Sequence, residues 1–270
     1  MSVPDPTAVP GVQDASRPDS PAGGIERRIA LLSDIHGNLA ALDAVLADVA
    51  ASGIEERYCL GDLIGYGPDP AGVVARVRDS RIPTVRGNYD DGVGNRRGQC
   101  GCYYVTEQAK ADGAASYAFT DAALSDADHR WLAALPDELR FESSEGLRVL
   151  LAHGSPRRIN EYLMPDRPDA FLARLADEAG ADVVCVGHVH VPYHRVVTGG
   201  DGRPVHYVSV ASVGKPKDGD ARAGWSELLL GPAGLVEVQV HRVRYDVERV
   251  VRAMLAAGLP ATLAEALRES

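Results

Sequence analysis

Short apolar runs alternate with longer amphipathic segments through much of the chain. The runs are rich in Val, Ile and Leu and short enough to be buried strands. Strands are predicted at residues 28–33, 58–60, 84–86, 147–152 and 182–186. Between them, apolar residues return at helical spacing, which predicts helices at residues 38–51, 70–78 and 170–179. Strands that alternate with helices indicate a largely parallel sheet.

The pattern changes twice further along the chain. Residues 92–102 are glycine-rich and irregular, and the amphipathic segments 106–118 and 126–134 then predict a helical insert at about 104–135. After residue 190, apolar and alternating segments between Gly and Pro turns predict antiparallel strands. These strands are expected at 193–197, 205–210, 226–230 and 235–243, and surface helices at 246–257 and 263–267. We therefore expect an α/β fold with two mixed β-sheets flanked by helices.

The first residues lack this periodicity. Residues 1–24 are rich in Pro, Ser, Asp and Gly, so they bury too little apolar surface to become ordered. We expect a disordered tail over residues 1–26 and one domain over residues 27–270, without an internal repeat. Of the 270 residues, 45% are apolar, which is enough for a full hydrophobic core.

Charge and cysteine content narrow the choice of partner and compartment. The formal net charge of −10 disfavours nucleic acid, whose phosphates are bound by clustered Lys and Arg. No apolar run reaches the roughly 18 to 20 residues that cross a bilayer. The four cysteines are few and unevenly spaced, which favours a reducing compartment over a disulfide framework. We expect a cytoplasmic protein that acts on a small molecule; no oligomeric state is predicted.

Predicted strands of the first part end in polar clusters that carry potential metal ligands. The carboxyl ends of parallel strands share one edge of a sheet, so these clusters should converge. The candidate ligands are Asp34, His36, Asp62, Asn88, His153, His188 and His190. Hard oxygens together with imidazole nitrogens suit manganese, iron or zinc better than calcium. Because alternate residues of an extended backbone share a side, the two residues of each Asp-x-His or His-x-His pair should point the same way.

The order Asp-x-His, Gly-Asp, Gly-Asn, His and Gly-His-x-His resembles that of the calcineurin-like metallophosphoesterases, in particular their small bacterial and archaeal phosphodiesterase-like branch. The resemblance covers about residues 29–243 and implies a four-layer αββα sandwich. It also implies a first metal held by Asp34, His36, Asp62 and His190, and a second held by Asp62, Asn88, His153 and His188. Manganese is the first expectation, with iron, nickel or zinc as alternatives. The expected nucleophile is a hydroxide that bridges the two divalent ions.

One position departs from the family pattern. Many relatives follow the Asn with a His that protonates the leaving oxygen, whereas this chain has Tyr89, a weaker general acid. The Asp and Arg that Ser/Thr phosphatases carry after Gly-Asp are also absent, because residues 61–67 place Gly65 and Tyr66 there. We expect Tyr89 and Tyr66 to line the substrate pocket, with packing of Tyr89 on its loop as an equal alternative. Asn38 is a further candidate for substrate binding or for capping the next helix.

Other candidate side chains carry weaker signals. Lys215, Lys217 and Arg222 lie in a turn that resembles the family's last turn near the site, although a solvated charge run has the same pattern. Cys100 and Cys102 are candidates for redox or metal chemistry, or are plain loop residues. The remaining histidines are expected to be structural: His129, His194, His206 and His241.

Together these features predict a hydrolase of phosphodiesters or phosphomonoesters of small molecules that depends on two metals. Two alternatives stay within the family. One is a protein Ser/Thr phosphatase, which the missing Asp and Arg weaken, and the other is a dinucleotide-polyphosphate hydrolase. The last alternative is a non-catalytic scaffold on the same fold, which predicts eroded ligand positions; the seven positions are intact.

Overall fold

The computed structural model describes residues 13–14, 25–144, 146–234 and 236–269. Its strands are β1 (Gln13–Asp14), β2 (Arg27–Leu32), β3 (Arg57–Cys59), β4 (Glu138–Glu142), β5 (Arg148–Ala152), β6 (Val183–Val186), β7 (Tyr193–Thr198), β8 (Pro204–Ser209), β9 (Ala223–Leu230) and β10 (Val236–Val243). Its α-helices are α1 (Leu39–Ala51), α2 (Pro70–Asp79), α3 (Asn88–Gly94), α4 (Glu107–Ala123), α5 (Asp126–Ala133), α6 (Asp169–Ala179), α7 (Val247–Ala256) and α8 (Ala261–Glu269).

These strands form two mixed sheets. The first has the order β1-β10-β9-β2-β3, in which β2 and β3 are parallel and β9 is antiparallel to both of its neighbours. The second has the order β4-β5-β6-β8-β7, in which β5, β6 and β8 are parallel and the two outer strands are antiparallel to their neighbours. The predicted fold class, two mixed sheets flanked by helices, is confirmed.

The two faces of β2 show why the chain forms layers. Ile29 and Leu31 point into an apolar core shared with the second sheet, whereas Ala30 and Leu32 pack under α1 and α2. Successive side chains of a strand alternate between its two faces. A strand that is covered on both faces therefore has a continuous run of apolar residues in its sequence. On the far side of the second sheet, Leu172 of α6 belongs to an apolar cluster that includes Leu150 of β5 and Val184 of β6. The layer order is therefore helix, sheet, sheet, helix.

Besides β1, two of the described elements are not predicted by the sequence. Helix α3 has two glycines in seven residues and no apolar periodicity, so its start depends on the acidic side chain of Asp90 bonding to the main chain of Gly87. Strand β4 is a partly exposed edge strand with a Glu-Leu-Arg-Phe-Glu sequence. The predicted strand at 84–86 is wrong: Thr84 makes one bridge to Cys59, and α3 begins four residues later.

Of the first 24 residues, the structure describes Gln13 and Asp14. Within the expected tail, Gln13 and Asp14 pair in parallel with Gln239 and Val240 of β10. Residues 1–12 and 15–24 lie outside the described residues. The limits of the domain and of the helical insert stay predictions. Within the described ranges, no helix has the length and hydropathy needed to cross a bilayer.

Candidate metal centre

The seven candidate ligands lie at one edge of the two packed sheets. The first sheet contributes the turns after β2 and β3, the second contributes the turns after β5 and β6, and the first turn of α3 lies between them. In chain order the ligands on these segments are Asp34, His36, Asp62, Asn88, His153, His188 and His190, and all are buried. The structure therefore brings together the residues that the sequence motifs single out.

The backbone that carries these ligands is not extended, so that part of the sequence prediction is wrong. Left-handed φ angles of 54°, 51°, 68° and 62° occur at Asp34, His36, His188 and His190. Such angles are uncommon outside glycine and persist where surrounding contacts hold them. Here the main-chain N–H of Asp34 donates to the carbonyl oxygen of Gly61 at 3.0 Å, and that of His36 to the carbonyl oxygen of Asp62 at 2.9 Å. Contacts between turns thus replace strand alternation in aiming the ligands.

The ligands divide into two groups of three. One group is Asp34, His36 and His190, and the other is Asp62, His153 and His188. Within each group the candidate ligand atoms lie within 4.8 Å of one another. Asp62 lies between the groups, because its Oδ2 is 3.4 Å from His153 Nε2 and 3.7 Å from His36 Nε2. The two groups fit a dinuclear site.

Hydrogen bonds to the main chain orient three of the four imidazoles. In each ring Nδ1 faces a carbonyl oxygen and therefore carries a proton, so Nε2 is the nitrogen that can bind a metal when it is deprotonated. The pairs are His36 with Ile64 at 3.0 Å, His153 with Leu60 at 2.7 Å, and His190 with Lys215. This tautomer is the one that a metal ligand needs.

Two features of these rings fit a cation. His36 Nε2 and His190 Nε2 face each other at 3.1 Å, although the tautomers above leave both atoms as acceptors. A positive ion bound to both relieves this contact. His188 Nε2 is buried and has no hydrogen-bond partner among the described residues. Buried nitrogens of this kind are rarely left unpaired, so the donor set fits a metal. The ring of Tyr162, which no motif includes, packs 4.0 Å from the His188 ring, centroid to centroid.

Asn88 presents its carbonyl oxygen to the second group. Its Oδ1 is 3.0 Å from His153 Nε2, while its Nδ2 donates to the carbonyl oxygen of Cys100 at 3.0 Å and to Cys102 Sγ at 3.1 Å. The loop with the two cysteines therefore holds the amide in the orientation that turns its oxygen toward the metal site. The cysteines act here as neighbours of a candidate ligand, a contact that sequence spacing does not reveal.

Burial keeps most of these imidazoles neutral at pH 7. It lowers the pKa of His36 and of His188 to about 3. Burial also acts to lower the pKa of His153, but the charge and hydrogen bond of Asp62 raise it to about 9. For Asp62, burial acts to raise the pKa, and the charge of His153 lowers it below the usual value. Because a metal binds the deprotonated imidazole, a cation competes with the proton that His153 and Asp62 stabilise.

Asp90 is a further buried carboxylate beside the centre, and no sequence motif above includes it. Its Oδ1 accepts from the main-chain N–H of Leu63 at 3.0 Å, and its Oδ2 from that of Gly87 at 2.9 Å. These bonds tie the turn of Asp62 to the start of α3, where Asn88 lies. Burial, helped by the charge of Asp62, raises the pKa of Asp90 to about 7. The signal that identifies it is the acid three residues after a helix N-cap.

Tyr89 and Tyr66 pack around the first group. Tyr89 is fully buried: its hydroxyl is 3.3 Å from Ser116 Oγ, and its main-chain N–H donates to Asp62 Oδ1 at 2.8 Å. Burial raises the pKa of Tyr89 well above its usual value. Tyr66 is half-buried, and its ring centroid lies 5.0 Å from that of His36 and 4.9 Å from that of Tyr89. Contact of either tyrosine with substrate stays a prediction.

Asn38 has bonds to three other segments. Its Oδ1 accepts from the main-chain N–H of Ala41 at 3.1 Å, which caps α1. Its Nδ2 donates to the carbonyl oxygen of Gly214 and to the hydroxyl of Tyr245, both at 3.2 Å. The capping alternative is therefore present in the structure, and the role of Asn38 in substrate binding stays a prediction.

The weaker candidates separate by position. Lys215 and Lys217 adjoin the first group through main-chain contacts with His190, whereas Arg222 forms an ion pair with Asp220 at 2.5 Å. The other histidines bond away from the ligands: His129 with the Val93 carbonyl, His194 with His206, and His241 with Glu227.

Known proteins resemble the chain over most of its length. Residues 28–225 match the calcineurin-like phosphoesterase superfamily domain. An uncharacterized protein of Methanocaldococcus jannaschii is 30% identical over 255 residues, which cover 90% of this chain and 98% of the relative. The crystal structure of a metallophosphoesterase from Sphaerobacter thermophilus is similar at a TM-score of 0.68 and 29% identity, over 90% of this chain and 98% of that one. A hypothetical protein from Pyrococcus horikoshii OT3 shares the fold at a TM-score of 0.72 and 21% identity, over 89% and 97% of the two chains.

Proposed function

Since this chain belongs to the calcineurin-like phosphoesterase superfamily, we propose that it hydrolyses phosphodiesters or phosphomonoesters of small molecules with two divalent metal ions. The family and the metallophosphoesterase of known structure indicate phosphoesterase hydrolase activity. The proposal adds the dinuclear mechanism, the small-molecule substrate and manganese as the metal, because a mixture of carboxylate, amide and imidazole donors suits that ion.

The observation that carries the proposal is the position of Asp62. Its Oδ2 lies within 4 Å of one histidine of each group, His36 at 3.7 Å and His153 at 3.4 Å. A carboxylate placed in this way is a natural bridging ligand. Its other oxygen accepts from the main-chain N–H of Tyr89 at 2.8 Å, so the carboxylate is held in this orientation by the fold itself.

The charges of the ligand side chains determine how strongly the metal-loaded site would attract phosphate. When bound, two divalent metals polarise the phosphoryl oxygens and lower the pKa of the attacking water. Asp34 and Asp62 offset only part of the charge of two such ions, and the imidazoles of His36 and His188 are neutral. The site therefore attracts a phosphate even though the protein has a formal net charge of −10.

The contacts of Tyr89 indicate whether it can protonate the leaving oxygen of the substrate. Its hydroxyl faces Ser116, which favours the predicted packing role of Tyr89 over the predicted place in the substrate pocket. Substrates with good leaving groups need little protonation, so we propose phosphodiesters or esters with good leaving groups as the preferred class. We expect Y89F to change kcat/KM by less than about threefold on aryl and alkyl esters alike. A loss on the order of 100-fold confined to alkyl esters would instead show that Tyr89 is the general acid.

A metal titration tests the whole proposal. Metal-stripped protein is titrated with manganese, iron, nickel and zinc against aryl mono- and diesters, cyclic nucleotides, dinucleotides and a phosphopeptide. We expect activity to saturate at two metal equivalents, and D62N to lose more than about 100-fold, beyond the loss typical of an outer ligand partner. D43N, which alters an exposed carboxylate that pairs with Arg76, is the matched control and should behave as wild type.

The other outcomes of this titration identify the alternatives. Preference for the phosphopeptide indicates a protein Ser/Thr phosphatase, and preference for dinucleotides indicates a dinucleotide-polyphosphate hydrolase. No activity with any metal, together with unchanged metal binding by D62N, indicates the scaffold. We also propose a cytoplasmic location, supported by the free thiols of Cys59, Cys100, Cys102 and Cys185, a state that a reducing compartment maintains.

A further inference from the structure

We propose that Lys215 and Lys217 form a cationic subsite beside the Asp34, His36 and His190 group that binds a second phosphate of the substrate. The inference rests on the proposed function and narrows its substrate class. It favours compounds in which the reacting phosphate is linked to another phosphate, as in phosphoanhydrides, over esters with one phosphate.

Lysine is rare in this chain. The sequence has 25 arginines and three lysines, so almost every cationic side chain is an arginine. Lys215 and Lys217 are two of the three lysines, and the third, Lys110, lies on α4 and is exposed. Lysine carries a compact ammonium that binds phosphate as a point charge, without the fixed fork of a guanidinium. The composition therefore singles out the turn at residues 215–217.

Lys215 is positioned by two contacts with the first metal group. Its carbonyl oxygen accepts from His190 Nδ1, so its main chain is fixed against a candidate ligand. Its Nζ lies 4.8 Å from the ring centroid of Tyr66, and that ring lies 5.0 Å from the His36 ring. A cation over an aromatic face is stabilised there, and more so when water is partly excluded. The half-buried ammonium of Lys215 is thus held at the edge of the centre.

Lys217 lies on the same side of the centre. Its main-chain N–H donates to the carbonyl oxygen of His190 at 3.2 Å. The side chain is exposed to solvent. The backbone of Lys217 is thus fixed beside a candidate ligand, and its exposed ammonium is accessible to a ligand at the edge of the centre.

Neither ammonium has a counter-ion within the ranges that the structure describes, whereas Lys110 pairs with Glu107. For the half-buried Lys215, an ammonium partly withdrawn from water without a partner is unfavourable, and an anionic ligand removes that cost. Two ammonium groups beside two divalent metals also carry more positive charge than one phosphate dianion offsets. A ligand with two linked phosphates matches this charge better than a ligand with one.

Calorimetry on the metal-loaded, full-length protein tests the subsite without turnover. The probes are methylenediphosphonate, which has two linked phosphonates that are not hydrolysed, and inorganic phosphate. We expect K215M and K217M each to weaken methylenediphosphonate binding on the order of tenfold, as for loss of a close charge pair, and to leave phosphate binding within about twofold. K217R should restore most of the affinity. K110M is the matched control, and metal content is measured before and after each titration.

The outcomes separate the subsite from the proposed function. Unchanged methylenediphosphonate binding in both lysine variants of an active enzyme overturns the subsite alone. Equal loss for both probes also overturns it, because the lysines then bind the reacting phosphate. Lysine-dependent methylenediphosphonate binding by a protein inactive on every ester supports the subsite and overturns the proposed function.

Discussion

Main-chain groups fix the side chains around the metal centre. The Nδ1 atoms of His36 and His153 donate to carbonyl oxygens of neighbouring turns. Asp90 does the converse, because it accepts main-chain N–H groups from the two turns that carry Asp62 and Asn88. The positions of the ligands therefore depend on residues that do not themselves belong to the ligand groups.

Replacing Asp90 by Asn isolates this effect. The Asn Oδ1 accepts from only one of the Leu63 and Gly87 N–H groups, so a buried donor loses its partner at a cost of about 1–3 kcal/mol. We expect D90N to bind the second metal about 10–100-fold more weakly, as calorimetric metal titration would measure. The matched control is D91N, which changes a carboxylate that pairs with Arg97 at 2.9 Å near the surface. Equal metal affinity in D90N and wild type would show that Asp90 does not position the metal ligands.

At the scale of elements, the turns that carry the ligands pack glycine against backbone. A Cβ on Gly87 would lie 2.1 Å from the main-chain nitrogen of Asp62 and 2.2 Å from its Oδ1. The φ of Gly87 is −85°, which any residue adopts, so space alone requires glycine here. A Cβ on Gly61 would in turn clash with the main chain of Gly87, and the φ of Gly61, +87°, also favours glycine. The approach of the β3 turn to α3 therefore sets the place of Asp62.

We expect G87A to disrupt this approach. The added methyl displaces Asp62, so unfolding should become easier by about 1–3 kcal/mol and both metals should bind more weakly. Urea unfolding and metal titration measure the two effects. G53A is the control, because Gly53 has a φ of +69° with nothing within 4 Å of its added Cβ. It should cost about 1–2 kcal/mol of backbone strain and leave metal affinity unchanged; a G87A protein with wild-type metal affinity would contradict the prediction.

The buried carboxylate of Glu227 links three strands of the first sheet. Glu227 on β9 accepts from Arg28 Nε at 2.6 Å on β2 and lies 2.9 Å from His241 Nε2 on β10. Burial acts to raise the pKa of Glu227, but the hydrogen bonds from His241 and Arg28 lower it below its usual value. Because its folded pKa is below the unfolded one, its contribution to stability is complete above the unfolded pKa. That contribution disappears as the pH falls through the folded pKa.

The variant E227Q tests this dependence on pH. At pH 7 its free energy of unfolding should be about 1.5–3 kcal/mol below that of wild type, since a bond to a charged group is lost. The difference should shrink toward zero as the pH falls below about 4, through the folded pKa of Glu227. Urea unfolding at a series of pH values measures it, with E237Q on β10 as the control. A difference that stays constant down to pH 3 would mean that the charge of Glu227 does not contribute.

How much the sequence predicts depends on whether the signal is local. Strand β2 is predicted because both of its faces are buried and its six residues include a clear apolar run. Asp34 and His36 are found because polar ligand types follow that run. Their left-handed backbone is not predicted, because it depends on carbonyls of Gly61 and Asp62, which are distant in sequence. Tyr162 is missed for the same reason, whereas Asp90 is missed because α3, whose N-cap would identify it, is not predicted.

At the scale of the whole molecule, the candidate centre lies where the two sheets meet. Asp34 and Asp62 follow strands of the first sheet, and His153 and His190 follow strands of the second. Behind them, the two sheets share an apolar core that includes Ile29. A cation held by ligands from both sheets therefore adds a link between sheets that otherwise pack through apolar contacts. Metal binding should stabilise the fold of the entire domain.

Removing metal with a chelator measures this link. An ion that binds only the folded chain stabilises it by about 2.7 kcal/mol at 100 times its Kd, which for a domain of this size corresponds to about 5 °C or more in the unfolding midpoint. We expect metal-loaded protein to unfold at least that much above the chelated protein by calorimetry, and the difference to be smaller in D62N. Without metal, His188 Nε2 has no partner among the described residues and the carboxylates of Asp34 and Asp62 stay buried, which lowers stability further. Equal midpoints for the loaded and chelated proteins would show that the seven side chains do not hold ions strongly enough to connect the sheets.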